Sequence, residues 1–143
     1  MTPQRVTLIT LGVDDLARSR RFYEAWGWRV ARALEGVVFF QLLGSALGLF
    51  GREALAVDQG RPGAELGTGA ITLAQNFATR AEVDAAFAAA LAAGAKALKP
   101  PQEVFWGGYS GYFACPDGHV WELAMNPFWP LAEDGSLTLP DAG

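Results

Sequence analysis

Cysteine and histidine are nearly absent from this sequence. Each occurs once in 143 residues, as Cys115 and His119. A single cysteine rules out a disulfide within the chain and any cysteine-rich zinc site. A single histidine rules out a metal site built from two or three imidazoles of one chain. Cys115 is either a reactive thiol or a small packed residue, and His119 serves either the turn that holds it or catalysis.

Positive charge and long apolar stretches are also scarce. The 11 Lys and Arg side chains are outnumbered by 15 Asp and Glu, which gives a net charge of −4. Nucleic-acid binding depends on clustered cations, so we expect no nucleic-acid partner. Every apolar run is broken well before the roughly 18 residues that a membrane helix needs, so we expect no membrane partner. No export signal precedes the first strand, and the expected location is cytoplasmic.

Apolar residues, in contrast, are plentiful and are arranged in a repeat. They make up 51% of the sequence, enough for a packed core. The strand pattern of Leu8–Leu11 recurs in Ala70–Leu73. Each copy precedes a helix with a good N-cap and a closing glycine. These caps are Asp14 or Asp15 with Gly27 in the first half, and Thr79 (with Glu82 three residues on) with Gly94 in the second.

The repeat predicts the fold class. Three strand-like segments follow each helix, so we expect an α+β protein made of two βαβββ modules. A small open sheet with one helix leaves a face uncovered, and pairing the modules into a curved mixed sheet with a central cleft would cover it. The predicted boundaries are 1–52 for the first module, 53–68 for the linker, 69–126 for the second module and 127–143 for an extended C-terminal tail.

Glu122 is the residue that draws most attention as a functional candidate. It lies inside the apolar run Val120–Ala124. Alternate residues of a strand share a face, so Glu122 is expected on one face with Val120, and Trp121 on the other. A carboxylate on an apolar face is costly without a partner. Glu122 therefore either takes part in chemistry or accepts a structural hydrogen bond from a Tyr or Trp donor.

Other candidates line the expected cleft. Gln75 and Asn76 end the first strand of the second half, where they either bind a ligand or cap the strand. An aromatic group interleaved with glycines lies further on, and one phenylalanine of the first half is expected to face the cleft. These aromatic residues either contact a ligand or serve only packing. They are Trp106, Tyr109 and Tyr112, together with Phe40.

Two blocks of the sequence resemble one known superfamily. The first runs from Leu11 to Trp28 and contains a strand end, a capped helix with Phe-Tyr, and a closing glycine. The second runs from Gly111 to Glu122 and contains a Pro-Asp-Gly-His turn. Both are similar to the vicinal oxygen chelate superfamily, which includes glyoxalases, bleomycin-resistance proteins and extradiol dioxygenases. The resemblance extends over nearly the whole chain, and its later part looks like an uncharacterised glyoxalase-like subgroup.

The resemblance also implies where a metal would be held. In metal-binding members, the ligands come from the first and last strands of each half. Only one of the corresponding positions here, Glu122, keeps a side chain of the usual ligand type. We therefore expect no cofactor, and a divalent metal is the alternative. The corresponding positions are Leu8, Leu49, Glu122 and Ala70, with Ile71 or Thr72 in place of Ala70 if the repeat is displaced.

Two functions follow from the resemblance. The first is a binder of the bleomycin-resistance type, which holds a small apolar or aromatic molecule in the cleft without a metal. The second is a lyase, isomerase or dioxygenase of the same superfamily, in which Glu122 acts as a general base or metal ligand. A module with a collapsed cleft, used for interaction only, is a third possibility. A homodimer is expected from the resemblance alone.

Overall fold

The computed structural model describes residues 1–141. The chain divides into two compact units between Gly67 and Thr68. The first unit contains β1 (Leu8–Val13), α1 (Leu16–Trp26), β2 (Val30–Leu34), β3 (Val37–Gln41), β4 (Ala46–Gly51) and α2 (Arg52–Asp58). The second unit contains β5 (Thr72–Asn76), α3 (Arg80–Ala93), β6 (Lys96–Glu103), β7 (Tyr109–Ala114) and β8 (Val120–Met125).

Each unit contains one four-stranded mixed sheet. The strand orders are β1-β4-β3-β2 in the first unit and β5-β8-β7-β6 in the second. In both, the first strand pairs in parallel with the last, and the other pairs are antiparallel. The predicted α+β class and the two βαβββ modules are confirmed. No helix among residues 1–141 is long and apolar enough to cross a membrane.

The caps predicted for the two long helices are present. Asp15 accepts a hydrogen bond from the backbone N–H of Arg18 at 3.0 Å, which satisfies one of the free donors at the start of α1. At the start of α3, Thr79 accepts from the Glu82 N–H and donates to its carboxylate. The first of these bonds is one half of a capping box, and the Glu82 carboxylate accepts from the Thr79 hydroxyl rather than from its backbone N–H. Both helices end at a glycine in the left-handed region, where a Cβ would be strained.

Aromatic side chains form much of the core of the first unit. Tyr23 of α1 is fully buried, and its ring lies 5.7 Å from that of Phe40 on β3 and 5.4 Å from that of Trp28. Leu47 and Leu49 on β4 are also fully buried. Burying side chains of this size stabilises the fold by about 1.5–3 kcal/mol each.

The core of the second unit lies between α3 and one face of its sheet. Val83 and Phe87 of α3 are buried, as are Phe113, Trp121 and Leu123 on the strands. On β8 the alternation places Trp121 and Leu123 against the helix. The intervening residue of this strand, Glu122, therefore points away from the core.

Three segments differ from the sequence-based expectation. The stretch predicted as the linker, 53–68, begins inside a helix that the sequence pattern did not indicate, α2. The sequence pattern after the helix of the second half predicts a strand over Ala95–Leu98, but strand β6 continues to Glu103 through Pro100 and Pro101. This strand lies at the sheet edge, and its register shifts between Lys99 and Gln102, where the prolines lie; both settings tolerate a missing N–H.

The tail expected to be extended over 127–143 contains a short hairpin instead. A β-bridge pairs Leu131 with Leu137, and the N–H of Ala132 donates to the carbonyl of Ser136 at 2.9 Å. Before the hairpin, the Asn126 carboxamide accepts from the backbone N–H of Phe128, which turns the chain. The last two residues of the expected tail, 142 and 143, lie outside the described residues.

Candidate functional site

The two units align by counting from their helix caps. Leu8 begins β1 seven residues before the N-cap Asp15, and Thr72 begins β5 seven residues before the N-cap Thr79. The counterpart of Leu8 is therefore Thr72, which is the displaced register of the sequence repeat. Ala70 precedes β5 and belongs to no strand.

The same alignment fixes the counterpart of Glu122. Leu8 pairs with Ala46 on β4, and Thr72 pairs with Val120 on β8. Two residues further along each final strand are Gly48 and Glu122.

The position matching Glu122 is therefore Gly48, and Leu49 matches the buried Leu123. Gly48 has no donor side chain, and a Cβ there would lie 3.1 Å from the Phe39 ring, which would have to shift slightly to accept it.

These residues do not fit the metal site that the superfamily implies. The four positions carry Leu8, Thr72, Gly48 and Glu122, so the set offers one carboxylate and one hydroxyl. Within residues 1–141, no three His, Cys, Asp or Glu side chains come close enough together to hold a metal ion. Protein metal sites ordinarily use three or more such ligands.

Glu122 is paired with a tyrosine across the strands. Tyr112 on β7 stands directly opposite Glu122 on β8, so the two side chains share a face of the sheet. Partial burial, the charge of Glu122 and a hydrogen bond to it raise the pKa of the Tyr112 phenol. The phenol therefore keeps its proton in neutral solution and donates a hydrogen bond to the carboxylate. This pair is the centre of the candidate site.

A pocket of about 340 Å³ lies over this pair, within the second unit. Its volume is at the small end of the range of about 300–1,000 Å³ typical of ligand pockets. Three strands contribute to it, because Lys99 on β6 stands opposite Tyr112 in the register. The lining residues are Lys99, Gln102, Glu103, Val104, Phe105, Trp106, Ser110, Tyr112 and Glu122.

A tight hairpin loop, Val104–Gly108, forms one wall of the pocket. It closes through hydrogen bonds from Val104 N–H to the Gly108 carbonyl and from Gly107 N–H to the Val104 carbonyl, both 3.0 Å. The Trp106 indole lies over Gly108 so closely that a Cβ there would fall 1.7 Å from a ring carbon. Phe105, beside it, is fully exposed. The loop thus contributes the packed Trp106 ring and the exposed Phe105 ring to the lining of the pocket.

Tyr109 lies on the opposite face from Glu122. It is three residues before Tyr112 on the same strand, so the two side chains point to different sides of the sheet. The Tyr109 hydroxyl donates to Asp84 of α3 at 2.6 Å, and the Arg80 guanidinium lies 5.1 Å from its ring centre. The bond to Asp84 is the main reason that the pKa of Tyr109 is raised. Tyr109 therefore fastens α3 to the sheet.

The structure also separates the other predicted residues from this pocket. Gln75 pairs with Leu123 and so lies in the row that faces α3. Asn76 pairs with Ala124 on the face of Glu122, but it does not line the pocket. In the first unit Phe40 packs against α1, and Phe39 is the phenylalanine on the other face. Trp106, Tyr112 and Glu122 are the predicted residues that the structure brings together.

Cys115 and His119 close the turn between β7 and β8. Both are nearly buried, at 4% and 8% exposure. The N–H of Cys115 donates to the carbonyl of His119, and the N–H of Gly118 donates to the carbonyl of Cys115, each at 2.9 Å. These bonds hold the turn that starts the strand carrying Glu122.

Lys99, Gln102 and Ser110 are pocket residues that the sequence analysis missed. Lys99 and Gln102 lie in the part of β6 that includes two prolines, and this part was not expected to be a strand. Proline is tolerated in a strand at the edge of a sheet, so the two prolines are compatible with an edge strand in this part of the sequence. Ser110 is nearly buried and stands opposite Ala124.

A second pocket, of about 560 Å³, lies in the first unit between α2 and the loop 63–66. The one cationic side chain among its described lining residues, Arg52, already makes hydrogen bonds and an ion pair. The Arg52 guanidinium donates to the carbonyls of Gly12 and Leu66 at 3.3 and 3.1 Å, and it lies 3.4 Å from the Asp14 carboxylate. These contacts make Arg52 a clasp between β1, α2 and the following loop.

Comparison with known proteins identifies the family. The family model for the glyoxalase/bleomycin resistance protein/dioxygenase superfamily matches residues 5–123. This chain belongs to that superfamily. No protein with a curated description matches the sequence significantly.

Solved structures share the fold. A glyoxalase-related enzyme from Fulvimarina pelagi is 38% identical, with a TM-score of 0.90 over 97% of this chain and 100% of that chain. A lactoylglutathione lyase from Agrobacterium tumefaciens is 24% identical, with a TM-score of 0.69 over 92% of this chain and 100% of that one. A glyoxalase/bleomycin resistance protein/dioxygenase from Nocardioides is 23% identical, with a TM-score of 0.73, over 87% and 85% of the two chains. The last two likenesses concern the fold alone.

Proposed function

We propose that the protein binds a small apolar or aromatic molecule, without a metal, in the pocket over Glu122. The observation that carries this proposal is the composition of the pocket. Trp106 supplies an aromatic wall with the exposed Phe105 beside it, and the Tyr112–Glu122 pair supplies a polar floor. Binding pockets for small molecules usually combine apolar walls with a few placed polar groups. The donor set offers a metal one carboxylate in place of three ligands.

The test is an NMR titration of isotope-labelled protein with 3-phenylpropanoate, a simple aromatic acid. One sample is treated with a chelator, and a second receives added Mn²⁺, Ni²⁺ or Zn²⁺. We expect amide shifts in β6, β7, β8 and the loop Val104–Gly108, and we expect the same affinity in both samples. Elemental analysis of freshly purified protein should find less than stoichiometric metal. One tightly held divalent ion per chain, or binding that requires added ion, would contradict the proposal.

A second candidate function is proton transfer on a bound substrate. The arrangement that favours it is the protonated Tyr112 phenol beside the Glu122 carboxylate. Glu122 would remove a proton from a carbon next to a carbonyl and so become the neutral acid. The single Tyr112 O–H would then turn from Glu122 to the enolate oxygen, and Glu122 would return the proton to a carbon of the substrate. The 38% identical relative is itself described as a glyoxalase-related enzyme.

One substitution separates the two functions. Glu122→Gln keeps the shape of the side chain but removes the base. For an enzyme, turnover of a substrate is lost while its binding changes little. For a binding protein, no turnover is found in either form, and only affinity changes.

We further propose a homodimer, which rests on family membership alone. Light scattering coupled to gel filtration should give twice the 15.3 kDa mass of one chain. A mass of one chain at micromolar concentration would refute it.

A further inference from the structure

The pocket contains two charged groups that have unused hydrogen-bonding capacity. Glu122 accepts from Tyr112, but a carboxylate has about four acceptor positions, so others stay open. Lys99 is the one cation among the described lining residues, and it makes no ion pair within residues 1–141. Each charge is therefore available to a molecule in the pocket.

A third charged residue of the pocket, Glu103, is already paired with a cation. Glu103 lies 2.8 Å from the Arg80 guanidinium, and this contact lowers the pKa of its carboxyl. Glu103 therefore contributes little net charge to the pocket. The free charges are one ammonium and one carboxylate.

These two groups lie at opposite ends of one row of side chains. In the strand register Glu122 stands opposite Tyr112, and Tyr112 stands opposite Lys99. Neighbouring strands are about 4.8 Å apart, so the backbones of Glu122 and Lys99 are roughly 10 Å apart. Tyr112 separates the two, and they do not approach within salt-bridge distance. Since Lys99, Tyr112 and Glu122 all line the same pocket, a ligand lying over Tyr112 can contact both charges.

We propose that the pocket selects aromatic or apolar molecules that carry both a carboxylate, which pairs with Lys99, and a hydrogen-bond donor, which binds Glu122. The apolar part of the molecule lies against Trp106 and Phe105. A single lysine ammonium suits a carboxylate better than a doubly charged phosphate, which usually engages several donors. This inference rests on the proposed binding function and adds the class of ligand to it.

A matched set of three probes tests the inference by isothermal titration calorimetry. 3-Phenyllactate carries the acid and a hydroxyl, 3-phenylpropanoate carries the acid alone, and 1-phenylpropan-2-ol carries the hydroxyl alone. We expect 3-phenyllactate to bind most tightly. Loss of either group should weaken binding by about tenfold, the effect of one charge-assisted hydrogen bond.

Two variants assign each group to its partner. Lys99→Met should abolish the advantage of the acid, and Glu122→Leu should abolish the advantage of the hydroxyl. Leucine is used because a glutamine oxygen would still accept a hydrogen bond. Lys96→Met is the control, because Lys96 is a second exposed lysine of β6 that does not line the pocket. It should bind all three probes as the unchanged protein does.

The outcomes separate this inference from the proposed function. If all three probes bind with equal affinity, or if Lys99→Met keeps the preference for the acid, the inference is wrong and the binding function stands. If none of the probes binds at millimolar concentration, the proposed function is wrong, and the inference with it. Since Lys99 is exposed, its variant should fold normally even if Glu122→Leu does not.

Discussion

Gly108→Ala is the most specific perturbation of the aromatic wall. The added Cβ would lie 1.7, 2.0 and 2.6 Å from three carbons of the Trp106 ring. Carbon atoms pack at about 3.5–4.0 Å, so the indole must move by roughly 2 Å. The backbone at Gly108 is outside the left-handed region, so alanine introduces no strain of its own. The substitution therefore acts on the position of Trp106.

The size of the effect follows from what the indole contributes. An aromatic contact is worth about 0.5–1.5 kcal/mol, so displacing it should weaken 3-phenyllactate binding by roughly twofold to tenfold. The loop lies at the surface, and we expect the free energy of unfolding to fall by about 1 kcal/mol or less. Binding should thus be lost more clearly than stability.

Calorimetry with 3-phenyllactate and urea unfolding measure the two effects on the same samples. Gly67→Ala is the matched control, because a Cβ at Gly67 meets nothing within 4 Å and its backbone is not left-handed. The control should bind and unfold as the unchanged protein does. Unchanged affinity in Gly108→Ala would show that Trp106 is not part of the binding wall. A large loss of stability would show that the loop supports the fold instead.

Three further predictions concern the second unit. Tyr109 and Tyr112 both have a raised pKa, so Tyr112→Phe and Tyr109→Phe should each remove one phenol that ionises above pH 10 in a tyrosinate absorbance titration. Because the neutral phenols are favoured by folding, their contribution to stability is complete below about pH 10 and is lost as the pH rises through the folded values. Leu123→Ala removes a fully buried side chain and should lower the free energy of unfolding by about 2–5 kcal/mol, as measured in urea. Arg80→Gln should lower the melting temperature at neutral pH, because it removes the ion pair with Glu103. The difference should shrink below about pH 4, where Glu103, with its lowered pKa, is protonated. A difference that persists at low pH would show that the ion pair is not its cause.

Local signals in the sequence predicted the helices well. Thr79 with Glu82, and the glycines that close both helices, act through neighbouring backbone groups. Such caps are readable from the sequence because they need no distant partner. Helix α2 was missed, since its sequence is surrounded by glycines and carries no side-chain N-cap.

The register of the repeat was harder to predict. The similar strands Leu8–Leu11 and Ala70–Leu73 suggested Ala70 as the match for Leu8, whereas the structure gives Thr72. A displacement of two residues keeps every side chain on the same face, so the apolar pattern does not reveal it. Counting back from the helix caps reveals the displacement, because the number of residues between the strand start and the cap is equal in both units.

The sequence identified the pocket residues only in part, because strand alternation gives the face of each side chain but not the residues that it meets on neighbouring strands. Tyr109 and Tyr112 are three residues apart, so alternation alone places them on opposite faces. Lys99 entered the site only through its pairing with Tyr112, which joins strands that are distant in sequence. Glu122 was recognised from the sequence because a single carboxylate within an apolar strand is unusual. This signal can be read without knowing which residues lie beside it in the fold.

The most direct test is a crystal structure of chelator-treated protein grown with 3-(4-bromophenyl)-2-hydroxypropanoate, with bromine located by anomalous scattering. We predict the bromophenyl ring against Trp106, the carboxylate at Lys99 and the hydroxyl at Glu122. Bromine elsewhere in the molecule, or an ordered divalent ion held by Glu122 and at least two other protein atoms, would contradict the account.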